Sequence, residues 1–299
     1  MGESGYIAPG VGRVLVDGKP RPKFRTVEDA TEFYAGRLAI RGSSDKQIKV
    51  ADGVNPVLGF IGLEGADPTS KPTDRSVAYA AATDDIGIEA PLFVGGGYAI
   101  LGKLAKGFVA VQGEELFSWS NGRVVPGMMM GGVPAIRVPY VKKAAEFDTT
   151  IDLPAGIIIE DVIVQAVTVA ESATIDIGTL STEGGGDADG LIDGESVATA
   201  GFVAHNLVDA TAANITLGAL LVESDIKTAD TTALYYSQKK IPGYVVDALR
   251  SLSYTTSDAT VAGNFYLKVI SPGVVKVGKA AAGKDASSAD GDIIIEAVI

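Results

Sequence analysis

The chain has 299 residues, with 25 Lys and Arg against 37 Asp and Glu, a formal charge of −12, no cysteine and a single histidine. The acidic balance argues against a broad phosphate-binding surface, and so against nucleic acid as a partner. The absence of cysteine removes disulfides and thiolate chemistry, and one imidazole cannot build a histidine metal cluster.

The length is that of two ordinary domains. Residues 1–25 contain Pro9, Gly10, Gly12, Gly18, Pro20 and Pro22 and read as an extended arm. They show neither a basic stretch followed by an apolar core nor a spanning run, so no membrane partner is expected, and the Met1-Gly2 start is only superficially that of a lipidated chain. In FRTVEDATEFYAG, Thr26 and Asp29 have capping-box spacing and predict a short helix stopped by Gly36. From Arg37 onward, GRLAIRG, QIKVADG, PVLGFIGLEG, SVAYAAATDD and GIEAPLFVGGG alternate short apolar runs with turn residues, the rhythm of a small barrel or sandwich. SWSNGRVV carries a hairpin signal at Asn121-Gly122, because both central positions of a type I′ turn need positive φ. Met128, Met129 and Met130, in PGMMMGG, read as a flexible linker rather than an adaptable contact surface.

The rhythm changes over residues 138–148, and 146–270 reads as a β-sandwich. Ile175 and Ile177 face one way and Asp176 the other; Phe265, Leu267 and Val269 oppose Tyr266 and Lys268. Residues 273–299 give a strand, a polar turn and a closing strand, too short to bury a core alone. Their partners must lie before Val138, with Ile293, Ile295 and Ala297 toward a core and Asp292, Ile294 and Glu296 on the other face. The expected fold is all-β: a small β-barrel domain with an inserted jelly-roll-like β-sandwich. The arm is 1–25, the discontinuous barrel 26–145 plus 271–299, and the insertion 146–270.

Three stretches invite chemistry. Gly97, Gly102 and Lys103 have phosphate-loop spacing, but Leu104 replaces the hydroxyl residue that meets magnesium and Gly107 interrupts the helix that should follow, so a glycine-rich β-turn is expected. Asp187, Asp189, Asp193 and Glu195 could offer oxygen ligands to calcium, yet Leu191 and Ile192 break the helical-hand pattern and favour a hydrated loop. His205 reads as a strand-border residue, and the adjacent Asp84 and Asp85 do not form a facing carboxylate pair. No catalytic, cofactor-binding or metal residue is assigned, and no enzyme activity or cofactor is expected.

The phrases AGRLAIRG, PVLGFIGLEG, GEELFSWSNGRVVPG and VGKAAAGKDASSADGDIIIEAVI resemble the small β-barrel decoration proteins of tailed bacteriophage heads. Gly278, Lys279 and Ala280, then Asp290, Gly291 and residues 292–296, correspond to that family's turn phrase and final strand. IDLPAGIIIEDVIVQAVTVAESATIDIGT and DADGLIDGESVATAG resemble β-sandwich domains of phage and archaeal-virus head proteins. The resemblance implies a non-enzymatic virion structural protein on the outer surface of a capsid, as a turret or spike. Its partners would be the major capsid protein and copies of itself, as a homotrimer with a pentamer as the alternative. A carbohydrate-binding adhesin or receptor-binding module is the rival; it requires Phe117, Trp119, Tyr235, Tyr236 and Tyr254 to form an exposed platform. An inserted-domain hydrolase is the third reading.

Overall fold

A computed structural model describes residues 13–28, 33–64, 66, 72, 75–79, 89–203, 218–221, 243–257 and 260–299. The chain divides into two compact units, Met1–Met128 with Ser271–Ile299, and Met129–Ile270. The described residues are almost entirely β.

The first stretch supplies β1 (Leu15–Asp17), β2 (Arg21–Val27), β3 (Leu38–Arg41), β4 (Gln47–Val50), β5 (Val57–Ile61), β6 (Glu89–Val94), β7 (Tyr98–Leu104), β8 (Val109–Ala110), β9 (Glu115–Ser118) and β10 (Val124–Met130). The inserted stretch supplies β11 (Val133–Val141), β12 (Phe147–Leu153), β13 (Ile158–Thr168), β14 (Thr174–Thr179), β15 (Ile192–Ser196), β16 (Gly201–Val203), β17 (Tyr244–Val245), β18 (Arg250–Thr256) and β19 (Ala262–Ile270). The tail adds β20 (Lys276–Ala280), β21 (Lys284–Asp285) and β22 (Gly291–Ala297).

In the first unit a closed barrel runs β2-β4-β3-β5-β6. Leu38, Ile40, Ile48, Phe60 and Ile61 on its strands are all fully buried, and closure gives each strand a neighbour on both sides. β2 pairs with β6 from Arg21 opposite Val94 to Thr26 opposite Glu89, so residues 21–25 of the expected arm are barrel strand. Thr26 does not cap a helix: its N–H donates to the Lys46 carbonyl at 3.1 Å, and strand partners on both sides outweigh a weak local helix signal. Asp29 lies outside the described residues.

The second sheet of this unit runs β1-β7-β22-β20-β9-β10, with β10 returning to β7 through Val124 and Leu104. β22 lies antiparallel to β7 over seven consecutive pairs, from Gly291 with Leu104 to Ala297 with Tyr98. β20 pairs with β9, and β21 with β8. The whole tail is thus inlaid among strands that precede Val138. Ile293, Ile295 and Ala297 are buried while Glu296 is exposed, the alternation read in the sequence. Between β9 and β10, Asn121 has φ 54° and ψ 31°, Gly122 has φ 64°, and the Arg123 N–H donates to the Ser120 carbonyl at 3.3 Å. This is the turn that the Asn-Gly pair demands. A side chain at Gly122 would also meet the Leu38 carbonyl oxygen at 2.7 Å. Met128, Met129 and Met130 form the end of β10 rather than a linker; flanking glycines disguised a strand.

The second unit contains the sheet β11-β19-β13-β16, to which β17 adds beside β13, and the sheet β12-β18-β14-β15. Tyr254 of β18 packs edge-on against Tyr140 of β11 at 6.3 Å and Phe265 of β19 at 6.2 Å. Aromatic contact between the sheets makes the unit sandwich-like. Ile175 and Ile177 are buried with Asp176 between them half-buried. On β19 the alternation is incomplete, because Tyr266 is buried as well: the Phe202 ring lies 5.9 Å away and the Tyr266 hydroxyl donates to Gln165 Oε1 at 3.0 Å.

Candidate functional site

Among the described residues, the aromatics named for a sugar platform are not exposed. Trp119 is 2% exposed, Phe117 0% and Tyr254 2%, each pointing into a core. Tyr235, Tyr236, His205, Asp84 and Asp85 lie outside the described residues. The phosphate-loop spacing resolves into a turn and a strand: Gly97 has φ 87°, and Tyr98–Leu104 is β7. Gly102 is there for packing, since a Cβ at that position would come within 2.4 Å of Ile295 Cδ1.

The acidic loop is fastened by its backbone. The Thr179 N–H donates to the Asp187 carbonyl at 2.8 Å, and the Asp187 N–H donates to Thr179 Oγ1 at 3.0 Å. Gly178 lets the loop lie close, because a Cβ would meet the Asp187 carbonyl oxygen at 2.0 Å. Glu195 is buried on β15, and among the described residues no group of three or more acidic or histidine side chains is placed to hold a metal ion. Thermal unfolding should therefore shift little on addition of chelator or calcium; a large reversible loss of stability on chelation would contradict this.

Carboxylates of opposite character sit in the two units. In the second, burial pushes the Asp176 carboxyl above its ordinary 3.8; the Gly194 N–H, donating at 2.7 Å, opposes this, and the charges of Asp193 and Asp189 add to it. In the first, burial alone would raise Asp292, but the hydrogen bond and charge of Lys103, joined by Arg75, hold it below the ordinary value. The fold thus favours protonated Asp176, a contribution present below the ordinary pKa and lost as pH rises through the raised one. It favours ionised Asp292, a contribution present above the ordinary pKa and lost as pH falls through the lowered one. Asp292→Asn should lower the thermal midpoint at about pH 7 and Asp176→Asn should raise it, both effects fading toward about pH 3. Equal shifts at both pH values, followed by calorimetry, would contradict the assignment.

The described residues of the first unit also border an open pocket of about 360 Å³, lined by residues 34–37, 75–76 and 101–103 and by Asp292. Asp292 accepts from Lys103 Nζ on the neighbouring strand and from Arg75 Nη2 at 3.3 Å. Arg37 lies with its Cζ 4.7 Å from the centre of the Tyr34 ring and donates through Nη1 to the Asn121 carbonyl at 3.3 Å. The sequence alone puts Lys103 in a glycine-rich β-turn, whereas it lies on β7, and puts Asp292 on the outer face of the last strand; it gives no sign of Arg37 or Arg75 beside them.

Charge is divided unequally along the chain. The first unit holds 17 Lys and Arg against 19 Asp and Glu, and the second 8 against 18, so −10 of the total −12 belongs to the inserted unit. Comparison with protein-family models and with curated proteins finds no match.

Proposed function

We propose that this chain is a non-enzymatic virion structural protein that decorates or stabilises a viral capsid as a symmetric homo-oligomer, a trimer with a pentamer as the alternative. Its partner is the major capsid protein and its place the outer surface of the shell. The observation that carries this reading is the division of charge between the units. A nearly neutral unit can lie against a shell and against its own copies without strong repulsion, whereas a unit of net −10 repels its copies and remains solvated. Display of the inserted unit and docking of the barrel-bearing unit follow from that asymmetry. The burial of Phe117, Trp119 and Tyr254 favours this over the adhesin reading, and repetition around a closed assembly would multiply modest contacts.

Mixing the purified protein with undecorated capsids tests the proposal. Saturable, symmetry-spaced density and greater resistance of the shell to heat are expected. No binding to capsids, together with specific glycan binding, would transfer the choice to the adhesin.

A further inference from the structure

We propose that the N-terminal half of β2 is a docking strand for an extended, acidic segment of a partner protein, with Asp or Glu at alternate positions. Residues 19–25, KPRPKFR, hold four cations and no acid in a chain of net −12. Arg21, Lys23 and Arg25 alternate along β2, so their side chains leave the same face at intervals of about 6.8 Å. Arg21 and Lys23 are exposed, as is Lys19 just before the strand. Opposite the row on β6 stand Val94, Leu92 and Ala90, while the one acid of that strand, Glu89, opposes Thr26 on the other face. Among the described residues no carboxylate pairs with any of the four cations. Their one side-chain hydrogen bond runs from Arg25 Nη1 to the neighbouring Phe24 carbonyl at 3.1 Å.

The main chain is open along the same stretch. β6 covers β2 on one side from Arg21 to Thr26, but on the other side β2 meets β4 only at Thr26 and Val27. The Thr26 N–H points to that second side, where it donates to the Lys46 carbonyl. Because main-chain groups alternate in direction along a strand, the Pro22 carbonyl and the N–H and carbonyl of Phe24 face the open side. Pro22 suits such an edge, having no N–H to leave unpaired. An added strand would bond to these groups and set its own alternate residues across from Arg21, Lys23 and Arg25, where opposite charges stabilise the pairing. Phe24, 43% exposed, offers an apolar contact on the other face, so β-branched residues suit the guest's intervening positions. A short strand feels the local row alone, since charges beyond about 8–10 Å are screened. A long polyanion would also meet the rest of an acidic chain, which favours a peptide over nucleic acid or a sulfated polysaccharide.

This recognition stands apart from the capsid role, because it is read with a peptide and no shell. Calorimetric titration of the full chain with a short peptide alternating Glu and Thr tests it, against a peptide of the same composition with its glutamates in one block, and against heparin. Saturable, salt-sensitive binding of the alternating peptide over the blocked one is expected. Arg21→Gln and Lys23→Gln should each weaken it by up to about fivefold, the loss of one cross-strand charge pair, while Lys279→Gln, at an exposed position on β20, should leave it unchanged. Phe24→Pro should bind about fivefold more weakly than Phe24→Ala, because it removes the one open N–H and leaves the β6 ladder intact. If Phe24→Pro fails to fold, slowed amide exchange at Phe24 on addition of the alternating peptide gives the same answer. Equal binding of the two peptides, tighter binding of heparin than of either, or unchanged exchange at Phe24 would overturn the proposal. So would self-association of the chain that Lys23→Gln abolishes, which would assign the strand to a second copy.

Discussion

A chain ending before residue 273 should lose its first unit as a folded body. β22 lies between β7 and β20, so its removal exposes the inner edge of β7 and strands β9 without β20. Val274, Val277, Ile293 and Ile295, each buried to 2% exposure or less, leave with it. At about 1.5–3 kcal/mol for each large apolar side chain, the lost burial amounts to about 6–12 kcal/mol, comparable with the whole stability of an ordinary domain. Arg123 Nε also loses its 2.7 Å bond to Asp290, and Lys103 its bond to Asp292. Amide exchange should show protection gone from β7 and β9 but kept in β13 and β19, whose partners lie within the inserted unit. Retained protection across β7 would contradict a unit completed by its tail.

Phe265→Ala should have the next largest effect, confined to the second unit. Phe265 is fully buried at the centre of β19, paired with Val138 on one side and Val164 on the other. Its ring meets Tyr254, which also contacts Tyr140 and Phe147. Truncation leaves a cavity between two sheets that cannot close without moving an aromatic cluster, at a cost of about 3–5 kcal/mol. Exchange protection should fall through β13, β18 and β19 while β7 and β22 keep theirs. Uniform loss over both units would show that they do not unfold separately.

Much of this architecture was legible because it depends on short-range rules. Strict alternation placed Ile293, Ile295 and Ala297 inward, and the positive φ required at Asn121 and Gly122 marked the hairpin. The tail was too short for its own core, which forced its partners to lie far upstream. Readings failed where tertiary pairing overrode local preference: Thr26 entered β2, and the three methionines extended β10. Tyr266 broke its alternation because Phe202, far off in sequence, covers the opposite face of the sheet. The pocket was not legible at all. Arg37, Arg75, Lys103 and Asp292 come from four separate segments, and only strand order brings them together. The charge division became visible once the boundaries of the units were known, since composition over the whole chain averages a nearly neutral body with a strongly acidic one.

The proposed role is tested most directly by an electron-microscopy reconstruction of virions carrying this chain. The predicted result is density for the chain at symmetry-equivalent positions on the outer surface, in closed groups of three or five copies, with the barrel-bearing unit against the major capsid protein and the acidic inserted unit facing solvent. Virions lacking the chain on their surface, or holding it without symmetry or with the inserted unit buried against the shell, would contradict it.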